Sequence, residues 1–254
     1  MIDLLLQEFD YSYELIRKTF SIEFPKPKLF YGDEEVLKHI KINSIKDLAY
    51  FQNLAGLEVD GDIYLPDSHS DNPRSERIFT LLHELGHSFA DYSNPDFNEK
   101  NIDKLIVEEP ARGYVYCVFN EGLANHIAIT SSLGSGDENL AEAAARTDHK
   151  LKNEFTGWIS SEEFKLLACY CVFDGDVSRY IESLQDPEFK VDWRKTMASY
   201  FSSVPEAMIQ YKYLLGHNYF SHLSHLNGEK YLKKTLKKVV MDPPKTIEEL
   251  LSIS

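Results

Sequence analysis

Cysteine is scarce in this chain. Cys117, Cys169 and Cys171 are its three thiols in 254 residues. An odd number cannot pair fully, and Cys169-Tyr170-Cys171 lacks the paired spacing of a structural zinc site. A disulfide framework and a cysteine-based metal staple are therefore both excluded, and the pattern suits reduced, buried thiols in a cytoplasm. Basic residues are also in deficit: 27 Lys and Arg stand against 41 Asp and Glu, for a net charge of −14. Phosphate backbones need a basic surface, so nucleic acid is excluded as an expected partner. An acidic surface would steer cationic peptides inward, although a coat that merely keeps the chain solvated explains the charge as well. No apolar run approaches the roughly 20 residues of a membrane-spanning helix. Residues 1–8 offer no basic n-region, too short an apolar stretch and no cleavage site, so no signal peptide is expected. Low-complexity tracts and fixed-period repeats are absent too.

What is present is a hydrophobic fraction of 43%. That suffices for a core, and the length suits one large domain or two lobes around a cleft. The most informative stretch is His83-Glu84-Leu85-Gly86-His87. Positions four apart share one helix face, so both imidazoles can reach one metal ion, and Glu84 beside them can hold the water that the metal activates. Two helical histidines at this spacing also arise by chance, so the flanks matter. Asn72-Pro73 supplies a cap and a first helical residue. Ile78, Leu82, Leu85 and Phe89 form an apolar stripe at helical spacing. The segment 73–91 therefore reads as a half-buried helix with the metal pair at its middle.

The pattern resembles the HExxH motif of zinc peptidases. Catalytic zinc commonly takes three protein ligands and a water. The extended HxxGxxH form is excluded, because Ala90 and Ser93 stand where its glycine and last histidine would be. A second apolar stretch, 115–133, ends at the helix stop Gly134 and carries Asn120-Glu121-Gly122-Leu123-Ala124. This element resembles the NEG(F/L)A signature of gluzincins, the thermolysin-like and M1 aminopeptidase-like group. The resemblance implies Glu121 as third ligand to one Zn2+ beside His83 and His87, with Glu84 as general base. The gap from His87 to Glu121 is longer than that group's norm. A loop or short hairpin is expected to fill 92–113, and Glu108 and Glu109 remain rivals for the third ligand. Asn125, one turn after Glu121, sits where it could orient a ligand histidine or simply pack.

Peptide hydrolysis also needs a donor for the developing oxyanion. Tyr213-Leu214-Leu215-Gly216 is similar to the Tyr-x-x-Gly stretch of M1-type gluzincins, which implies Tyr213 in that role, with His217 as the alternative. Residues 57–65 alternate like a strand at the edge of the site, and Glu58 faintly resembles an amino-terminus-binding glutamate, though an exposed strand residue is the simpler expectation. His222 and His225 lack an acidic partner at metal spacing and are not assigned.

Along the chain, helices are expected at about 3–20, 34–40, 73–91, 114–133, 137–154, 161–173, 176–184, 191–202, 204–226, 228–241 and 245–252. The opening helix would carry Leu4, Leu5, Phe9 and Tyr13 on one side. Strands are expected at 29–31 and 57–65. The expected class is α+β: a thermolysin-like zincin with a small mixed lobe (1–134) holding the edge strand and both zinc helices, and a helical lobe (135–254) closing the cleft. Activity on peptide or protein substrates follows from the resemblance. ImmA/IrrE-type regulatory metalloproteins also carry HELGH and a Glu-x-x-Ala-Asn element, so a regulator with a dedicated partner, or an inactive zincin, is the alternative.

Overall fold

A computed structural model describes residues 2–38, 55–173, 175–185 and 192–251. Helix α1 (Ile2–Phe20) buries Leu5, Phe9 and Tyr13, whereas Leu4 turns outward. Strand β1 (Leu29–Tyr31) and the short helix α2 (Asp33–Leu37) follow. Of the helix expected at 34–40, the last two residues lie outside the described set. Strands β2 (Leu57–Val59) and β3 (Asp62–Leu65) then pair antiparallel, while β1 pairs with β3 in parallel. The sheet order is β1-β3-β2, which leaves β2 at the edge. The single strand expected over 57–65 is thus a hairpin. Asp60 and Gly61 both take positive φ, 51° and 86°, at its turn. An Asp-Gly pair is the usual sequence for a two-residue hairpin turn, and the alternation of the flanks concealed it.

Helix α3 (Arg74–Ser93) carries the two histidines. Ile78, Leu81, Leu82, Leu85 and Phe89 on its inner face are fully buried. Burial of this kind contributes about 1.5–3 kcal/mol per side chain. Pro73 occupies the cap position rather than the first turn, and the Asn72 side chain caps nothing. Instead the Asn72 carbonyl accepts a bond from Arg77 Nη1 at 2.8 Å. Arg77 also grips the buried Glu8 of α1 with two bonds, one of them Nε to Oε2 at 2.9 Å. This ion pair fixes α1 against the start of α3.

The interval 92–113 is neither loop nor hairpin. A 3₁₀ turn (Pro95–Phe97) leads into helix α4 (Glu99–Glu108), and Glu109 alone separates it from helix α5 (Pro110–Leu133). Asn94 and Asn98 cap the two starts with their side-chain oxygens, a signal legible in the sequence but overridden by the short-loop expectation. Helix α5 is buried around its circumference from Val115 to Ser132. Such a helix belongs at the centre of a fold, and α1, α3, α4 and α6 all pack on it.

Helices α6 (Glu138–Ile159), α7 (Glu162–Phe173), α8 (Val177–Leu184) and α9 (Trp193–Ser203) follow the expected order. The helix expected at 204–226 is divided into a 3₁₀ segment (Pro205–Tyr211) and helix α10 (Lys212–Asn227). The division falls at Tyr211, whose ring stacks on Trp158 at 4.0 Å between centroids. Helices α11 (Glu229–Met241) and α12 (Ile247–Leu251) close the described chain. The fold is mainly helical with one small mixed sheet, consistent with an α+β class. Its buried cluster runs from Phe9 in α1 to Leu251 in α12, so the two halves share a core. No described helix is long and apolar enough to cross a membrane.

Two close approaches set the central packing. A Cβ on Gly86 of α3 would lie 2.8 Å from the Ala124 Cα of α5. A Cβ on Gly122 of α5 would lie 2.4 Å from the Gly216 carbonyl carbon of α10, and one on Gly216 would lie 2.3 Å from the Val118 oxygen. Gly122→Ala should therefore cost about 3 kcal/mol or more by overpacking, about a 10 °C fall in melting temperature. Gly157→Ala, on open helix surface, should raise stability by up to about 1 kcal/mol. Thermal melts of the two variants should shift in opposite directions.

Candidate metal centre

The approach of α5 to α3 at Gly86 brings three donor atoms together. His83 Nε2 and His87 Nε2 lie 3.1 Å apart. Glu121 Oε2 lies 3.4 Å from the first and 3.6 Å from the second. Tetrahedral ligands on bonds of about 2.0–2.1 Å stand about 3.3 Å from one another, so this triangle has the size of a zinc-type ligand face. Glu121 Oε2 is buried and has no hydrogen-bond donor. An acceptor left so beside two imidazole nitrogens is costly unless a cation fills the space between them. These three residues could hold a metal ion, and among the described residues no other such group occurs. The rivals lie elsewhere. Glu108 and Glu109 are exposed at the α4–α5 corner, paired with Lys104 and Arg112.

The triad sits in the floor of a cleft of about 840 Å³. Gly56 and the β2 residues Leu57 and Glu58 line it, as do Ile102, Asp103 and Ile106 of α4. The inserted helix therefore shapes the site. Glu84 is buried next to the triad. Burial raises its carboxyl above the ordinary range, a shift the Glu121 charge reinforces and the two histidines moderate. For Glu121 burial pulls upward, but the adjacent His83 and His87 imidazoles outweigh it and hold it well below the ordinary range. Burial alone would lower His87. The Glu121 carboxylate facing it, with the nearby charges of Glu84 and Glu58, reverses that and pushes it up to about 9.

Glu58 is a cleft residue rather than an exposed strand residue. Burial, with Asp91 close by, pushes its carboxyl up to about 7, and its side chain accepts the Gly61 amide. Tyr213 lies at the mouth, its ring 6.4 Å from that of His83. Cys117 also lines the cleft; burial pushes its thiol up to about 11, which keeps it protonated near neutrality.

His217 is elsewhere, so it is no oxyanion donor for this cleft. It lines a separate cavity of about 400 Å³ with His126, Thr130 and Glu229. Its Nε2 faces Asp148 Oδ1 at 3.2 Å and Ser221 Oγ at 3.3 Å. The crossing of α5 and α10 at Gly122 and Gly216 divides the two spaces. Residues before it (Cys117, Glu121, Lys212 and Tyr213) face the cleft, and residues after it (His126, Thr130, His217 and Ser221) face the second cavity. Asn125 is buried, but no hydrogen bond joins it to His83 or His87; its Nδ2 and the His87 Nδ1 are both unpartnered. Sequence reasoning missed Lys212, whose Nζ bonds Glu121 Oε1. Nothing in its sequence context marks it beyond its place next to Tyr213.

Glu121→Ala should abolish stoichiometric binding of a divalent metal, whereas Glu109→Ala should leave it unchanged. Elemental analysis of the dialysed proteins checks both. Comparison with protein-family models, with curated proteins and with solved structures found no match.

Proposed function

We propose that the protein is a zinc-dependent hydrolase that cleaves peptide bonds, with the fold of a thermolysin-like zincin. The observation that carries this reading is the triangle of two Nε2 atoms and one carboxylate oxygen, with edges of 3.1–3.6 Å, beside the buried Glu84. Zinc would supply Lewis-acid polarisation of the scissile carbonyl and lower the pKa of a water to about 7. Glu84 accepts the proton of the attacking water and delivers it to the leaving amine. Its raised pKa suits the first half of that task, because a carboxylate whose pKa lies closer to neutrality is a stronger base toward the water proton. The Tyr213 hydroxyl donates to the carbonyl oxygen as negative charge develops there. Among the described strands β2 is an edge strand beside the cleft, which supports pairing with an extended substrate backbone, a mode that favours peptides over compact molecules.

Glu84→Gln should keep one equivalent of zinc and lose about 10²–10⁴-fold in turnover on a peptide library read by mass spectrometry. Wild-type turnover in that variant would remove the mechanism. Silence of the zinc-loaded wild type across the library would favour a regulator with one dedicated partner.

Zinc binding should also depend on pH in a defined direction. His87 must lose its proton to ligate, and its folded pKa lies near 9. Below that value each binding event releases a proton, so affinity rises about tenfold per pH unit from pH 6.5 to 8.5. Competition against a chromophoric chelator, corrected for the chelator's own protonation, should show this slope. A flat profile would refute the coupling.

A further inference from the structure

The two oxygens of Glu121 have different surroundings. Oε2 points at His83 and His87 and takes no hydrogen bond. Oε1 accepts a charged bond from Lys212 Nζ. Lys212 opens α10, and its ammonium also lies 4.9 Å from the centre of the Tyr213 ring. Both members of the pair are largely withdrawn from solvent, with side-chain exposures of 29% and 13%. An ion pair so placed is little screened and restricts the carboxylate to one orientation.

A carboxylate can bind a metal through one oxygen or through both. One-oxygen binding leaves three protein ligands and an open fourth position, which is what water-activating sites require. Two-oxygen binding raises the coordination number and competes for that position. A cation bonded to one oxygen makes that oxygen a poor second ligand, because its electron density is already directed at the ammonium. We propose that Lys212 is a positioning residue that restricts Glu121 to single-oxygen ligation through Oε2 and so keeps one coordination position open. The inference rests on the metal site proposed above. The closeness of α5 and α10 at Gly122 and Gly216 is what lets a residue of α10 reach Glu121 at all.

Cobalt reports coordination number through its visible absorption, which is strong for four ligands and weaker for five or six. The full chain is stripped with a chelator and loaded with one equivalent of Co(II). Wild type should show the strong four-coordinate band, and Lys212→Arg, which keeps a cation on Oε1, should retain it. Lys212→Met should still bind one equivalent but lose about half or more of the band intensity. Lys212→Gln serves as the second neutral variant should the methionine fail to fold. Undiminished intensity in a folded neutral variant overturns the inference. So does complete loss of cobalt from a neutral variant that melts like wild type, since that would make Lys212 a requirement for binding rather than a selector of ligation mode. If wild type itself binds no cobalt, or binds it equally well after His87→Ala, the metal site is what fails. That outcome is distinct from a failure of the Lys212 assignment alone.

Discussion

The site depends on how closely three helices approach one another. Glutamate has a short side chain, so Glu121 meets the two imidazoles only because α5 lies against α3 with no Cβ at residue 86 to hold it off. The same helix meets α10 at Gly122 and Gly216, where added methyl groups would overlap backbone atoms. Interiors are packed densely enough that a methyl group at either crossing would move a helix axis. Two glycines that lie inside the recognisable motifs, Gly86 and Gly122, thus do geometric rather than chemical work. They set the separation of helices whose neighbouring residues carry the donors.

Electrostatics then follow from burial. Glu84, Glu121 and Glu58 crowd one cleft in a chain already rich in acid. Desolvation raises each of them, and what differs is the compensation. Glu121 has two imidazoles and an ammonium, and stays ionised. Glu84 and Glu58 lack bonds of that strength and rise. Carboxylates at close range are thereby separated into one held ionised and two whose pKa values are raised.

Much of this was legible in the sequence where the signal is local. The stripe Ile78-Leu82-Leu85-Phe89 and the histidine spacing place His83, Glu84 and His87 correctly on α3, because helical periodicity fixes which residues share a face. Capping and turn residues marked most helix ends to within a few positions. The failures have physical causes of their own. Residues 57–65 alternate through their turn, so periodicity alone could not show the hairpin at Asp60-Gly61. Residues 99–108 follow the Asn98 cap, a local signal that the spacing between the two motifs does not carry. His217 lies four residues after Tyr213 and shares its helix face, yet the crossing at Gly216 comes between them and sends it to another cavity.

The sequence by itself determined the helix that bears the two imidazoles and Glu84, since that depends only on a period of 3.6 residues and on neighbours within one turn. It narrowed the acid that could join them to a few candidates. The tertiary structure decided which acid arrives, that a lysine on a third helix bonds its second oxygen, and that an inserted helix walls the cleft. Those outcomes depend on the separation and rotation of helices far apart in the chain, which are set by packing at Gly86, Gly122 and Gly216 and by no local pattern.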